Sequence, residues 1–200
     1  MGRRPRTVSK TGYYHVVTRG NRRARVFQQP ADYTTYQTLL HDACQAWAVQ
    51  VAHFCLMTNH VHLLLGTQSL TALSRAMHQI QRRYWFYVRR QYGWTGHLWQ
   101  GRYHSFPIED EAYLLEAARY IERNPLEAKL VAQLEDYPWS SYPSYVSGQP
   151  APISLTPTPT YEALGPMAAA RQQVYRRFVE TPQPYDRSMR RKLHLATAYA

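Results

Sequence analysis

The stretch VQVAHFCLMTNHVHLLLGT, residues 49–67, contains two apolar runs that are separated only by the short turn Met57-Thr58-Asn59. Apolar runs of this length beside turn residues are typical of buried strands. A connection of so few residues joins strands that lie antiparallel to each other. The stretch therefore predicts an antiparallel hairpin, with one strand over residues 49–57 and the other over residues 60–67.

The second strand of this hairpin carries two histidines at alternate positions. Side chains two residues apart on a strand point to the same face, on the order of 6.5 to 7 Å apart. Val61 and Leu63 then face a core, whereas His60 and His62 lie side by side on the opposite face. Two neutral imidazoles held in this way can chelate one divalent cation. A pair of surface histidines without a ligand is the simpler alternative for an isolated motif of this kind.

The regions on either side of the hairpin predict the rest of a small α+β domain. Strands are expected at 13–20 and near 103–108, and helices from Pro30, over 69–92 and over 111–124. Pro125 is expected to stop the last of these helices. The order fits a ferredoxin-like four-stranded antiparallel sheet (βαββαβ) with helices, plus an added helix. Residues 1–145 make up this domain, and residues 146–200 combine a proline-rich linker with a basic helical C-terminal extension.

The composition favours a polyanionic partner. The 200 residues include 24 Lys and Arg against 13 Asp and Glu, a formal net charge of +11, together with 17 tyrosines and 5 tryptophans. Arginine forks match phosphate geometry and flat aromatic faces suit unstacked bases, so nucleic acid is the expected partner. No apolar run approaches the roughly 18 residues of a membrane span, so no membrane association is expected and the cytoplasm is the default location.

The helix predicted over residues 111–124 supplies further groups for a site. Tyr113, Tyr120 and Asn124 follow one another at spacings of seven and four residues, so they share one helical stripe. If this helix crosses the histidine face of the sheet, a phenol and a carboxamide oxygen meet the two imidazoles. Such a site suits Mg²⁺ or Mn²⁺ bound jointly with a phosphate oxygen more than it suits structural zinc. Core packing is the alternative role for a helix tyrosine, and capping of the helix end is the alternative for Asn124.

Three segments together resemble a known family. They are TNHVHLLL (58–65), GHLWQGRYHSFPIEDEAYLLEAARYIERNPLEAKLV (96–131) and YPWSSY (137–142). In combination they are similar to the small HUH-type single-strand tyrosine transposases, and within these to the REP-associated tyrosine transposases. The resemblance runs from about Tyr13 to Tyr145. It implies a metal-dependent single-strand DNA endonuclease and strand transferase that acts next to hairpin DNA through a covalent phosphotyrosine intermediate.

The resemblance also assigns roles to individual residues. His60 and His62 match the metal-binding pair of the family. The family's nucleophilic tyrosine precedes an isoleucine and, one turn later, an amide side chain, and YIERNP at 120–125 matches this pattern. Tyr120 is then the nucleophile and Asn124 the third metal ligand, with Tyr113 as the alternate nucleophile. Thr58 stands where proline is common in the family, a difference that is expected to matter little.

Clustered arginines are the candidate DNA-binding residues. The arginines near the N-terminus are expected to bind a hairpin stem. Those around the end of the first β-strand are expected to bind the flanking DNA, and those on the long helix are expected to line a DNA duplex. One more belongs to a motif before the fourth strand. These residues are Arg3, Arg4, Arg6, Arg19, Arg22, Arg23, Arg25, Arg82, Arg83, Arg89, Arg90 and Arg102. Solvated arginines without a ligand are the alternative for many of them.

Two other functions are compatible with the sequence. A protein derived from a transposase can bind hairpin DNA or RNA without cleaving it, although the presence of all four candidate site residues argues against lost chemistry. A metal-storing or sensing protein is disfavoured by the shortage of carboxylates. The resemblance implies a prokaryotic, nucleoid-associated protein, and the linker and extension favour a monomer over a homodimer that exchanges helices.

Overall fold

The computed structural model describes residues 7–182 of the chain, so the predicted contacts of Arg3, Arg4 and Arg6 lie outside the described residues. The elements of the sheet domain are β1 (Tyr13–Arg19), α1 (Pro30–Ala46), β2 (Gln50–Met57), β3 (His60–Gly66), α2 (Leu70–Tyr92), β4 (His104–Ile108) and α3 (Ala112–Glu127). Three further helices follow them, α4 (Tyr142–Ser147), α5 (Pro159–Glu162) and α6 (Ala168–Glu180). Short 3-10 helices cover Asn21–Arg23 and Leu134–Asp136.

The four strands form one antiparallel sheet in the order β2-β3-β1-β4. β2 and β3 are hairpin neighbours joined by Thr58 and Asn59, and β1 lies between β3 and β4. α1 and α2 provide the two crossover connections that this strand order requires. The predicted hairpin and the predicted α+β, ferredoxin-like sheet are therefore confirmed.

The two faces of the sheet are buried against different layers. Val61, Leu63 and Leu65 are fully buried in one cluster with the inner sides of α1 and α2. Leu64 lies in a second cluster on the opposite face, which α3 covers. A sheet covered on both faces has long apolar strands, which explains why β3 is apolar on either side of its histidines. No helix in the described part of the chain is long and apolar enough to cross a membrane.

α3 continues through Pro125 to Glu127, so the prediction that Pro125 stops this helix was wrong. Proline lacks the N–H that would donate to the carbonyl oxygen four residues earlier, which here belongs to Ile121. Asn124 supplies the missing donor from its side chain, because its Nδ2 lies 3.1 Å from Ile121 O and 2.7 Å from Tyr120 O. A side-chain amide thus replaces a lost backbone donor and lets the helix extend by one more turn.

The C-terminal segment packs on the sheet domain. α4 crosses the boundary that the sequence suggested between residues 145 and 146. The proline-rich stretch before α5 is bonded to the start of β2, where Thr156 N donates to Val51 O at 2.9 Å. α6 lies against α3, and Arg123 Nη1 donates to Val179 O at 2.9 Å. The described part of the extension, up to residue 182, therefore forms a third layer that covers the outer side of α3.

A buried carboxylate joins these layers. Glu122 on α3 is fully buried, and its Oε1 accepts a hydrogen bond from Ser141 Oγ at 2.6 Å and lies 2.8 Å from His53 Nδ1 of β2. Its Oε2 accepts from the hydroxyl of Tyr175 on α6 at 2.7 Å. A buried carboxylate is costly unless its oxygens are satisfied, and both oxygens have partners here. Glu122 therefore connects α3 to the sheet, to the start of α4 and to α6.

We expect Glu122→Leu to lower the free energy of unfolding by about 3 to 5 kcal/mol, because it leaves the buried donors around Glu122 without an acceptor. Glu127→Ala is the matched control, since it removes a more exposed carboxylate from the same helix that pairs with Arg123. That loss should stay below about 1 kcal/mol. Urea denaturation followed by circular dichroism measures both, and equal losses would contradict the connecting role of Glu122.

Candidate active site

His60 and His62 lie on the face of the sheet that α3 covers, as the alternation of β3 predicted. Their ring centroids are 4.9 Å apart and the ring planes are inclined at 83°. His62 is 2% exposed, whereas His60 is only partly buried. The pair therefore lies at the start of β3, where His60 is partly open to solvent and His62 is buried under α3.

Each of these two rings is held through its Nδ1 atom. His60 Nδ1 lies 2.6 Å from Asn59 Oδ1, so the imidazole donates to the amide oxygen. His62 Nδ1 lies 2.9 Å from Nε2 of His15, which is a residue of β1. Hydrogen bonding at one ring nitrogen orients an imidazole and leaves the other nitrogen for a metal ion. In both rings the nitrogen suited to coordination is Nε2.

His15 is a site residue that the sequence did not reveal. Its ring stacks on that of His62 with centroids 5.2 Å apart and planes inclined at 19°, and the residue is 2% exposed. In β1 its alternation places it opposite Tyr14 and Val16, which belong to the core on the other face. The sequence feature that could have indicated His15 was a histidine within a predicted strand whose side chains alternate between the two faces of the sheet. Its contact with His62 depends on the pairing register of β1 and β3, which sequence periodicity does not supply.

Burial keeps both metal-site candidates neutral at physiological pH. Burial, with a smaller effect from Arg19, lowers the pKa of His60 to about 4. Burial also lowers the pKa of His62 well below its ordinary value, and His60, His15 and Arg19 lower it further. Histidine must be deprotonated to bind a metal ion, so this electrostatic environment favours coordination.

The ring of Tyr120 lies against this histidine group. Its centroid is 5.6 Å from that of His62 and 5.8 Å from that of His15, with edge-on geometry in both pairs. Tyr113 lies seven residues earlier on α3, which is about 10 Å along the helix axis, and packs against the apolar cluster of that face. The structure thus places Tyr120, and not Tyr113, next to His15 and His62.

Asn124 follows Tyr120 by one helical turn, so both side chains project from the same side of α3. The two hydrogen bonds of its Nδ2 hold the amide against the helix backbone and leave Oδ1 as the outward atom. Within residues 7–182 no group of three or more His, Cys, Asp or Glu side chains is arranged to hold a metal ion. A cation at this site would therefore depend on two imidazole nitrogens, a carboxamide oxygen and oxygens from its substrate or water, a donor set that fits Mg²⁺ or Mn²⁺.

The predicted DNA-binding arginines fall into two classes. Arg19 is 7% exposed and lies close enough to His60 and His62 to affect their pKa, so it belongs to the candidate site and not to the open surface. The other described arginines of this set are exposed. They are Arg22, Arg23 and Arg25 after β1, Arg82, Arg83, Arg89 and Arg90 on α2, and Arg102 before β4.

Known proteins share both the sequence pattern and the fold. The sequence matches the family described as "Transposase IS200 like" over residues 8–124, more than half of the chain. A Haemophilus influenzae protein that bears the name of a REP-associated tyrosine transposase is 24% identical over 123 residues, 54% of this chain, and the chain spans 66% of that relative's length. A solved structure of a REP-associated tyrosine transposase bound to a REP hairpin matches 79% of this chain and 94% of its own, with a TM-score of 0.61 and 18% identity. This structural likeness confirms the fold.

Acidification is expected to destabilise the folded chain through the two β3 histidines. An imidazole in the unfolded chain titrates near its ordinary pKa of about 6.5, whereas the folded-state pKa of His60 is about 4. Between these values the unfolded state binds more protons, so the free energy of unfolding falls as the pH is lowered, by at most about 1.4 kcal/mol per pH unit for each such group.

Urea denaturation at pH 7, 6 and 5 measures this slope. The double variant His60→Asn/His62→Asn should show a shallower dependence on pH than the unsubstituted chain. Val61→Ala, a change between the two histidines that removes no titratable group, should lower stability equally at every pH. A double variant with the full original slope would show that these two groups titrate alike in the folded and unfolded states.

Proposed function

This chain belongs to the family of IS200-like transposases, and from that premise we propose that it is a metal-dependent single-strand DNA endonuclease and strand transferase. We propose further that it acts next to hairpin DNA through a covalent phosphotyrosine intermediate. The observation that supports this most directly is the contact of the Tyr120 ring with His62 and His15. A phenol beside the buried, neutral imidazole of His62 is an arrangement that fits such chemistry.

In this proposal His60, His62 and Asn124 are the residues that would hold Mg²⁺ or Mn²⁺, with two imidazole nitrogens and a carboxamide oxygen as donors. When bound there, such a cation would supply charge neutralisation and orientation at the scissile phosphate. The hydroxyl oxygen of Tyr120 attacks phosphorus and loses its proton to solvent. The bond from phosphorus to the oxygen of the departing strand end breaks, and that oxygen takes a proton from solvent and leaves as a hydroxyl. The phosphotyrosine link keeps the bond energy for the later joining of strands.

Arg19 contributes fixed positive charge beside the reacting phosphate. It is buried at the end of β1, directly opposite His60 in the β1–β3 register. A guanidinium in this position faces little competition from water, so its attraction to a phosphate is stronger than that of a solvated arginine. We therefore assign Arg19 to phosphate binding in the site itself.

Hairpin DNA is the proposed partner. The matched solved structure holds a REP hairpin, and the name of the matched relative places it in the REP-associated branch. The exposed arginines after β1 and along α2 offer phosphate contacts on this chain. The same comparison supports assignment of this chain to the REP-associated branch.

We also propose that one chain forms a complete site. Tyr120 meets His62 and His15 of its own chain, and Glu122, two residues further along α3, is bonded to the sheet and to α6 of the same chain. An exchange of α3 between two protomers would have to form each of these buried contacts again with the partner chain. A monomer is therefore favoured over a helix-exchanging homodimer.

The alternative is a hairpin DNA or RNA binding protein without catalysis. One observation favours it, since the hydrogen bonds of Asn124 to Tyr120 O and Ile121 O give that residue a structural role that needs no metal ion. In that case the site residues would persist for folding alone. A covalent DNA adduct is the property that separates the two functions.

Tyr120→Phe is expected to abolish the covalent adduct. A labelled single strand that carries a hairpin, incubated with Mn²⁺ or Mg²⁺, should give a protein–DNA species that survives denaturing electrophoresis. Tyr113→Phe is the matched control on the same helix and should retain the adduct. If Tyr113→Phe loses the adduct and Tyr120→Phe keeps it, the nucleophile is Tyr113. Tight binding without an adduct in the unsubstituted protein would establish the non-catalytic alternative.

His15→Phe is expected to weaken Mn²⁺ binding by roughly 10- to 100-fold, because it removes the partner that orients His62 through Nδ1. Phenylalanine keeps a ring in the stack, so the fold should be retained. Isothermal titration of Mn²⁺ into the protein measures the affinity without any DNA. His78→Phe, at an exposed position on α2, is the control and should bind Mn²⁺ as the unsubstituted chain does. An unchanged affinity in His15→Phe would remove His15 from the site.

A further inference from the structure

The exposed side of α2 belongs to a long region without carboxylates. Residues 43–108 contain no Asp or Glu, and they carry Arg75, Arg82, Arg83, Arg89, Arg90 and Arg102. From the neighbouring helix α1, Asp42 approaches Arg83 at 3.7 Å, between partly exposed side chains. A helix surface of this charge is complementary to a polyanion along most of its length.

Aromatic rings are interleaved with these arginines. The guanidinium carbon of Arg89 lies 5.4 Å from the centroid of Trp85, and that of Arg82 lies 5.4 Å from the centroid of Phe86. Phe86 is 48% exposed although it is a large apolar side chain. We call Arg82, Trp85, Phe86 and Arg89 the α2 platform. Rings and guanidinium planes are the two kinds of surface on which proteins stack nucleobases.

The platform borders a groove. α2 and the loop over residues 96–101 enclose about 530 Å³, with Trp85, Leu98 and Trp99 among the lining residues. The loop is bonded to the helix, because Trp85 Nε1 donates to Gly96 O at 3.0 Å and Trp99 Nε1 donates to Gln81 O at 3.3 Å. The indole of Trp85 is thus held in place before any ligand arrives, which reduces the entropy that binding must offset.

The groove is connected to the candidate active site through the end of β1. Gln100 N donates to Arg19 O at 2.9 Å, and Gln81 Nε2 donates to Thr18 Oγ1 at 2.8 Å. Arg19 is paired with His60 in the sheet register. A DNA strand that leaves the site beside His60 can therefore pass around the end of β1 and reach the groove along residues that carry no negative charge.

We propose that the α2 platform binds an unpaired DNA strand that extends from the catalytic site, with its nucleobases stacked on Trp85 and Phe86 and its phosphates facing Arg82 and Arg89. This rests on the proposed function and specifies part of its substrate. In a duplex the base faces are occupied by neighbouring base pairs, so exposed rings favour an unpaired strand. The arginines of α2, expected from the sequence to line a duplex, are here assigned to single-stranded DNA.

The test uses fluorescence anisotropy with three labelled DNAs and the full chain. They are a hairpin with an unpaired extension, the same hairpin with an extension of abasic sites, and a blunt hairpin. The unsubstituted protein should bind the first about tenfold more tightly than the other two, because only the first offers bases for stacking. Phe86→Ala and Arg82→Gln/Arg89→Gln should lower affinity for the first DNA about five- to tenfold.

Control variants distinguish the effect of changing the α2 platform from the effect of removing charge or apolar surface elsewhere. Val174→Ala and Arg177→Gln alter an exposed apolar and an exposed basic side chain on α6 and should leave affinity for all three DNAs unchanged. Trp85→Phe keeps an aromatic face but loses the bond to Gly96, so it should retain most of the preference for the base-containing extension. Melting temperatures should be unchanged for Phe86→Ala, since that side chain is largely exposed.

Three results with Phe86→Ala would overturn the proposal. An equal loss of affinity for the abasic extension would indicate contacts to the DNA backbone only, and a loss confined to the blunt hairpin would indicate a duplex-binding surface. The third is no loss of affinity for any of the three DNAs. The adduct assay run in parallel keeps the two proposals distinct. An adduct with no effect of Phe86→Ala refutes the platform alone, whereas base-dependent binding without an adduct refutes the catalytic function and supports the platform.

Discussion

The docking of α3 on its own sheet is the constraint on which the candidate site depends. Tyr120 can meet the histidines only if the helix has one rotation about its axis and one position along it. Glu122 sets both, because its two carboxylate oxygens are bonded to β2, to Ser141 and to α6. A buried carboxylate tolerates few alternative positions, since each bond that is lost leaves a charge or a donor without compensation. The C-terminal extension thereby contributes to the geometry of the site although it supplies none of the proposed catalytic groups.

Asn124 connects local helix chemistry with the proposed metal chemistry. Its Nδ2 replaces the backbone donor that Pro125 lacks, and the same two bonds determine which amide atom faces outward. A proline directly after the proposed ligand is therefore compatible with a continuous helix and orients the ligand as well. Folding needs an amide donor at this position and the proposed metal binding needs an oxygen, and an amide side chain supplies both.

Charge is distributed so that the two β3 histidines stay neutral while their surroundings are positive. Burial keeps His60 and His62 deprotonated, and Arg19 adds a buried cation beside them. The carboxylates of the chain lie outside residues 43–108, the region that holds the histidine pair and the whole of α2. A phosphate backbone would thus meet increasing positive charge as it approaches the site, and a divalent cation would meet neutral nitrogen donors.

The amino-acid sequence by itself determined the hairpin, the order of strands and helices along the chain, and the face of β3 that carries His60 and His62. It also determined that Tyr120 and Asn124 share a stripe of α3. These features follow from periodicity and from short connections, which are local properties of the chain.

Only the tertiary structure decided the contact of His15 with His62, the burial of Arg19 and the continuation of α3 past Pro125. It also decided that α6 and the other described residues after 145 cover α3. Each of these depends on strand register or on a partner that is distant in the sequence, such as Tyr175 for Glu122. Periodicity indicates the side of an element on which a residue lies. It does not indicate which residue of another element lies opposite, because that choice is made by the packing of all layers at once.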